Sequence, residues 1–187
     1  MSKIKLDSDA SPFPKPIVLL GSIVDGRPNF FTVAWFNRMS MTPNIWGACV
    51  GKAKYTLTGI RENKTFSVNF PNSDLVKETD YCGIRSGKNV DKSRLFDVFY
   101  GELETAPMIR ECPVTAECTL RELVDISSHY LLLGEVKHLY SEEKFMTDGE
   151  LDQKKLNLLI FTKPALQYWI LGEVVADAYS IGKELDP

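Results

Sequence analysis

Short β-prone runs follow one another along this chain, with no regular alternation of strand and helix between them. Residues 17–24, 30–36, 45–50, 66–70, 114–120, 130–140, 158–162 and 165–171 each read as a strand, most of them bounded by turn-forming residues. The cleanest pattern is Val114, Ala116, Cys118 and Leu120 alternating with Thr115, Glu117, Thr119 and Arg121, one face for a core and one for water. Pro71 stops the run 66–70 because it has no N–H for a further ladder bond. Helical spacing is confined to the short pieces 56–63, 75–81, 149–155 and 173–181. A doubly wound parallel sheet needs a long crossover, usually helical, between its strands. This pattern therefore points to a mainly β, antiparallel barrel with short helical insertions.

A chain of 187 residues suffices for one such domain, read here as an arm over 1–15 and a domain over 16–187. Hydrophobic residues at 44% and charged residues at 25% give a globular composition. A net charge of −3 with no basic run argues against a track for nucleic acid. No apolar stretch approaches membrane-spanning length, and residues 1–16 lack the apolar core of a signal peptide; a soluble, cytoplasmic protein is the expectation. Cys49, Cys82, Cys112 and Cys118 form no CxxC pair, and only His129 and His138 supply imidazoles, so no metal centre is expected. The thiols read as structural, with Cys82, in what reads as a glycine-containing loop, the one to watch.

Residues 29–46 carry the most chemistry. An apolar run to Phe36 is followed by a polar loop over 37–42 and Pro43, then by a second apolar run from Ile45. Two strands joined in this way gather N–H groups, hydroxyls and aromatic rings at one strand end, the surface a planar, polar-edged cofactor needs. A plain hairpin with Trp35 and Trp46 as core aromatics is the alternative. Next, Lys52-Ala53-Lys54-Tyr55-Thr56 leads into the helix expected over 56–63. A helix N-terminus carries unsatisfied N–H groups and partial positive charge, so it takes phosphate. Thr56 would cap the helix or donate to the phosphate, and Lys52 or Lys54 would add charge; the same residues also describe a capped surface helix with two solvated lysines.

The loop 86–92 holds Gly87-Lys88 without the spacing of a P-loop, which leaves a flap over an anionic ligand or a surface turn. His129 opens the strand 130–140 with Asp125 upstream and no Ser or Cys nucleophile motif beside it, and an isolated His is commonly structural. No G-x-G-x-x-G is present, so a nicotinamide would not be held by a Rossmann unit.

Several of these pieces recur in a fixed order. They are Asn29-Phe30-Phe31-Thr32-Val33-Ala34-Trp35-Phe36, then Ser40 and Pro43, then the stretch from Tyr55 to Asn63 with Phe66-Ser67-Val68-Asn69. Thr79-Asp80-Tyr81-Cys82-Gly83, Ser86-Gly87-Lys88, Asp91-Lys92-Ser93, Gly134-Glu135-Val136 and residues 168–183 continue the set. Over 15–183 the chain resembles the flavin reductase-like proteins with an FMN-binding split barrel, in particular the flavoredoxin branch. The resemblance implies a homodimer of six-stranded antiparallel Greek-key barrels, each binding one FMN near the subunit interface. Thr32, Val33, Ala34, Trp35 and Asn37 would lie along the isoalloxazine, with Trp35 and Ser40 flanking it. Lys52, Lys54, Tyr55 and Thr56 would meet the ribityl phosphate, joined by Lys92. Cys82 would face the flavin or serve as a structural thiol, and His129 would stand on the nicotinamide side as the catalytic candidate. Where relatives often carry Pro-Pro and Asp-His, this chain has Pro43-Asn44 and Ser128-His129.

The function so implied is an oxidoreductase passing electrons through bound FMN, supplied by NAD(P)H or by a partner redox protein. An NAD(P)H-dependent reductase releasing diffusible reduced FMN and a non-catalytic FMN-binding module are the alternatives.

Overall fold

The computed structural model describes residues 2–185. Strands β1 (Lys15–Pro16), β2 (Val18–Val24), β3 (Arg27–Val33), β4 (Phe36–Ser40) and β5 (Ile45–Gly51) come first. Helix α1 (Thr56–Asn63), β6 (Thr65–Phe70) and helix α2 (Val76–Ile84) follow, then the short β7 (Val98–Phe99) and β8 (Met108–Ile109). Two long strands, β9 (Val114–Ile126) and β10 (His129–Ser141), form a hairpin. The short β11 (Met146–Thr147), β12 (Glu150–Leu151), α3 (Gln153–Leu156), β13 (Ile160–Thr162) and β14 (Gln167–Trp169) come last.

The main sheet runs β3-β2-β6-β9-β10-β5-β4, with every neighbouring pair antiparallel. The expectation of six strands closed into a barrel is corrected on two points: there are seven strands, and no ladder joins β3 to β4. The cause lies in one piece of chain. β3 and β4 are consecutive segments separated by Ala34 and Trp35, yet they form opposite edges of the sheet. At the break the Trp35 carbonyl accepts a hydrogen bond from the Cys49 N–H at 2.8 Å, which passes the chain from the β2 ladder to the β5 ladder. The sheet thus curls until its two margins meet in one segment.

This break also corrects the strand expected over 30–36 and the polar loop expected from 37. Asn37 and Arg38 are in β4, where an edge position leaves them in water and permits polar residues in extended backbone. Asp25 and Gly26 form the hairpin turn with φ of 49° and 75°, and Arg27 and Pro28 pair in β3. That strand is an edge, which accommodates the missing proline N–H.

Alternation along β2 sends side chains to both faces. Val18 and Leu20 join Phe31, Val33, Ala48, Val50, Phe66, Val68, Ala116, Cys118 and Leu132 in the main core, closed by Leu57 and Ile60 of α1. On the other face Leu19 packs with Phe30, Cys82, Phe96, Ile109 and Cys112, fastening α2 to the sheet. Thr115 and Glu117, read as water-facing, are buried, because the connection through residues 99–109 crosses that side of β9.

The helices differ from expectation at their ends. α2 runs through Ile84, so Cys82 lies on a helix rather than in a loop. The piece 149–155 shrinks to α3, capped by Asp152, and 173–180 is not helical, its residues being exposed throughout, with only a short 3-10 turn over Ile181–Glu184. A short helix with no face to bury is marginal in water. Among the described residues no helix is long and apolar enough to cross a membrane.

Candidate functional site

A cleft of about 520 Å³ opens where the β5–α1 connection meets the C-terminal end of α2. Asn29 and Phe31 of β3, residues 51–56, residues 82–87, Lys92 and Ser128 line it. Its size is that of a cofactor site. Lys52, Lys54, Arg85 and Lys92 bring positive charge, and no Asp or Glu is among the lining residues. A smaller hollow of about 180 Å³ continues past Asn29, Tyr55, Gly87 and Lys92 to Arg27, Lys88 and Asp91.

The cations differ in what they are free to do. Lys52 Nζ is bound by both carboxylate oxygens of Asp125 at 2.6 and 2.7 Å, and this bond holds the Asp125 pKa below the usual carboxylate range. Lys92 is buried and donates to the carbonyls of Phe30 and Cys82 at 2.8 and 2.9 Å. Burial lowers its pKa, and its role here is to pin the loop after α2 against β3. Lys54 and Arg85 have no ion-pair partner among the described residues, which leaves them to meet an anion.

Beneath them α1 begins. Tyr55 occupies the cap position with helical angles and no side-chain cap, and Thr56 is the first helical residue, not the cap. Thr56 is buried and its hydroxyl accepts from Asn29 Nδ2 at 2.6 Å. No side chain caps the helix; the N–H groups of Leu57 and Thr58 bond the carbonyls of Lys54 and Tyr55 at 3.1 and 3.0 Å, which leaves those of Tyr55 and Thr56 to face a ligand. Tyr55 donates to Asp25 at 2.5 Å, and this bond raises its pKa. Gly87 lets the loop approach Asn29, since a Cβ there would stand 2.0 Å from Asn29 Oδ1. Gly51 has open space, with only His129 Nε2 at 4.0 Å from such a Cβ.

Lys52, Lys54, Tyr55, Thr56, Cys82 and Lys92, all candidates in the sequence, line this one cleft. Thr32, Val33, Ala34, Trp35, Asn37 and Ser40 do not line the cleft. Val33 is a core residue, and Thr32 donates to the Thr79 carbonyl of α2. Trp35 is half exposed and its ring lies 5.0 Å from that of His129, whose Nδ1 is 2.8 Å from Ser128 Oγ. Asn37 accepts from the Arg38 N–H, and Ser40 ends β4. Burial pushes the Cys82 thiol up to about 11, so it is protonated at neutral pH and a poor nucleophile. Cys49, Cys112 and Cys118 are likewise free thiols.

Asn29, Gly51, Arg85, Ser86, Gly87 and Ser128 were not among the site residues read from sequence. Ser86 and Gly87 lie in the loop already read as a flap, and Arg85 adjoins it, which was the available signal. Asn29 carries no local signal, because its partner Thr56 is reached only through the fold.

The donor set fits a flavin: a cationic end built on a helix start for an anionic tail, and Phe31, Ala53 and Ile84 for an apolar body. The comparisons agree. Residues 10–161 match the family described as flavin reductase like domain. The structure of a flavoredoxin from Methanosarcina acetivorans is 44% identical, with a TM-score of 0.94 over 98% of both chains. Flavoredoxin of Desulfovibrio vulgaris (Miyazaki F) is 31% identical, with a TM-score of 0.87 over 96% of this chain and 100% of that one. Nitrilotriacetate monooxygenase component B from Bacillus cereus, at 18% identity, shares the fold, with a TM-score of 0.85 over 94% and 99%. A family match across most of the chain, joined to near-complete overlap with two flavoredoxins, places the protein in the flavin reductase-like family, on its flavoredoxin branch.

Proposed function

We propose that this chain is an FMN-binding oxidoreductase that passes electrons through its flavin and works as a homodimer. The observation that carries the reading is the acid-free, cationic cleft over the start of α1, in a chain so similar to a flavoredoxin. FMN joins a phosphate to a planar ring with polar edges. The N–H groups of Tyr55 and Thr56 at the start of α1, with Lys54 and Arg85, would hold the phosphate. Asn29 fixes the Thr56 hydroxyl beneath it. Trp35, with the segment 32–37, would flank the ring and shield it from water.

Bound flavin supplies the redox chemistry, so no nucleophile or acid–base pair is asked of the protein. Lys92 holds the loop that would cover the tail, and the neutral Cys82 thiol packs beneath that loop. A second reading, in which NAD(P)H supplies the hydride, is favoured by the half-exposed Trp35 ring packed near His129 beside the cleft, with Ser128 holding the imidazole.

The test is a visible spectrum of purified protein with FMN, followed anaerobically through additions of NADH, NADPH and dithionite. Bleaching by a pyridine nucleotide assigns a reductase, whose turnover His129→Ala would then slow. Bleaching by dithionite alone assigns a carrier fed by another redox protein. Lys54→Glu and Arg85→Glu should each weaken FMN binding by about tenfold, roughly 1.4 kcal/mol. A colourless protein that leaves added FMN free would sink the proposal.

A further inference from the structure

The outer face of the β9–β10 hairpin carries a second cavity, of about 600 Å³, which shares no lining residue with the flavin cleft. Ala116 and Cys118 of β9 face the main core, so the period of two turns Thr115 the other way, beside its cross-strand partner Tyr140. Both line this cavity, together with Phe99 of β7 and Cys112. Thr115 is 2% exposed, and its hydroxyl oxygen has no hydrogen-bond partner among the described residues. Buried hydroxyls are nearly always bonded, because an unmade bond there costs free energy. A cavity of ligand size with such a group at its floor suits a guest that brings one polar atom to it.

The remaining lining residues define the guest. Phe99 and Tyr140 stand edge to face, with ring centres 6.0 Å apart and planes at 90°, an arrangement that a third ring extends. The Cys112 thiol, which burial keeps protonated, adds no charge to the floor. Charge is confined to the exposed rim, and most of it is already matched. Arg110 is paired with Asp97 at 2.9 Å and lies over the Phe99 ring, and Lys144 is paired with Glu142 at 2.9 Å. Glu111 is the rim residue with no ion-pair partner among the described residues. An anion would have to break a pair to enter, whereas a cation meets an unpaired carboxylate.

We propose that this cavity binds a small aromatic amine whose ring carries a hydroxyl. The hydroxyl bonds Thr115 at the floor, the ring packs on Phe99 and Tyr140, and the ammonium meets Glu111 at the rim. The two hollows then sort ligands by charge: the flavin cleft has no acidic lining residue and takes an anion, and this one takes a cation. The proposal stands whether or not flavin fills the first.

The test titrates tyramine into the full chain labelled with nitrogen-15 and follows the amide shifts. Saturable shifts over 97–99, 110–115 and 140–144 are expected, with a Kd below about 1 mM. Phenethylamine, which lacks the ring hydroxyl, should bind about fivefold more weakly. The matching hydroxyphenylpropionate, with a carboxylate in place of the ammonium, should give no saturable shifts there. Thr115→Val keeps the shape and removes the unbonded oxygen, so the fold should survive. It should weaken tyramine by about fivefold and leave phenethylamine unchanged. Glu111→Gln should weaken both amines by roughly threefold. An absence of saturable shifts with tyramine would overturn the proposal. So would shifts confined to 51–56 and 82–87, equal binding of the carboxylate, or an equal loss of both amines in Thr115→Val.

Discussion

Glu117 is fully buried, and its carboxylate accepts from the N–H groups of Glu102 and Leu103 at 3.1 and 2.8 Å and from Tyr140 at 2.9 Å, with His138 Nδ1 at 2.7 Å. Burial alone would raise its pKa; these bonds outweigh it, and the net shift is downward. A pKa lowered in the folded state means that the unfolded chain binds the proton more tightly. The stabilisation is therefore complete above the ordinary glutamate value of about 4.3 and is lost as pH falls through the lower folded value. Glu117→Gln should cost about 2 kcal/mol at neutral pH, by analogy with bonds to charged groups. Urea midpoints should show the gap to the parent narrowing below about pH 4.3, whereas a gap independent of pH would remove the anion from the account. Period two in the sequence put Glu117 on the outer face of its strand correctly. What it did not contain was the crossing of that face by residues 99–109, a contact between distant parts of the chain.

The span of helix α1 was legible, because Leu57 and Ile60 have helical spacing and the preceding polar residues mark a start, although Thr56 opens the helix rather than capping it. The partner of its first residue was not, since the Asn29–Thr56 bond depends on how β3 passes the helix. The same closeness decides what α1 tolerates. Gly59→Ala would gain about 1 kcal/mol from helix propensity in isolation. Here the new Cβ would stand 2.0 Å from the Ile23 carbonyl oxygen and 2.9 Å from Ser22 Oγ, and backbone cannot swing aside. Overpacking of this kind costs about 1–3 kcal/mol, so net destabilisation is expected in chemical denaturation; a more stable variant would mean that α1 can lift from β2. By contrast, β4 was misread because an edge strand with polar residues looks like a loop until its neighbour is known. The segment 173–181 was misread the other way, from a pattern with nothing of its own chain to pack on.

At the scale of the molecule, fold class was written in the succession of strands, while strand number and the open seam were not, because they are set by pairing across the whole chain. The cleft is built by β3, the β5–α1 connection and the end of α2 together, so a ligand bound there would couple to global stability. At 100 times its dissociation constant FMN should add about 2.7 kcal/mol, which for a chain of this size raises Tm by about 5–10 °C. Riboflavin, lacking the phosphate, should give a smaller rise at the same concentration. Equal shifts in thermal melts would move the anchoring away from the helix start.

The segment Arg27–Ser40 supplies both margins of the sheet, and Asn29 and Phe31 within it face the cleft. A ligand gripped there works like a stitch across a hem. A nick between Val33 and Phe36 would therefore loosen the garment and drop the button together.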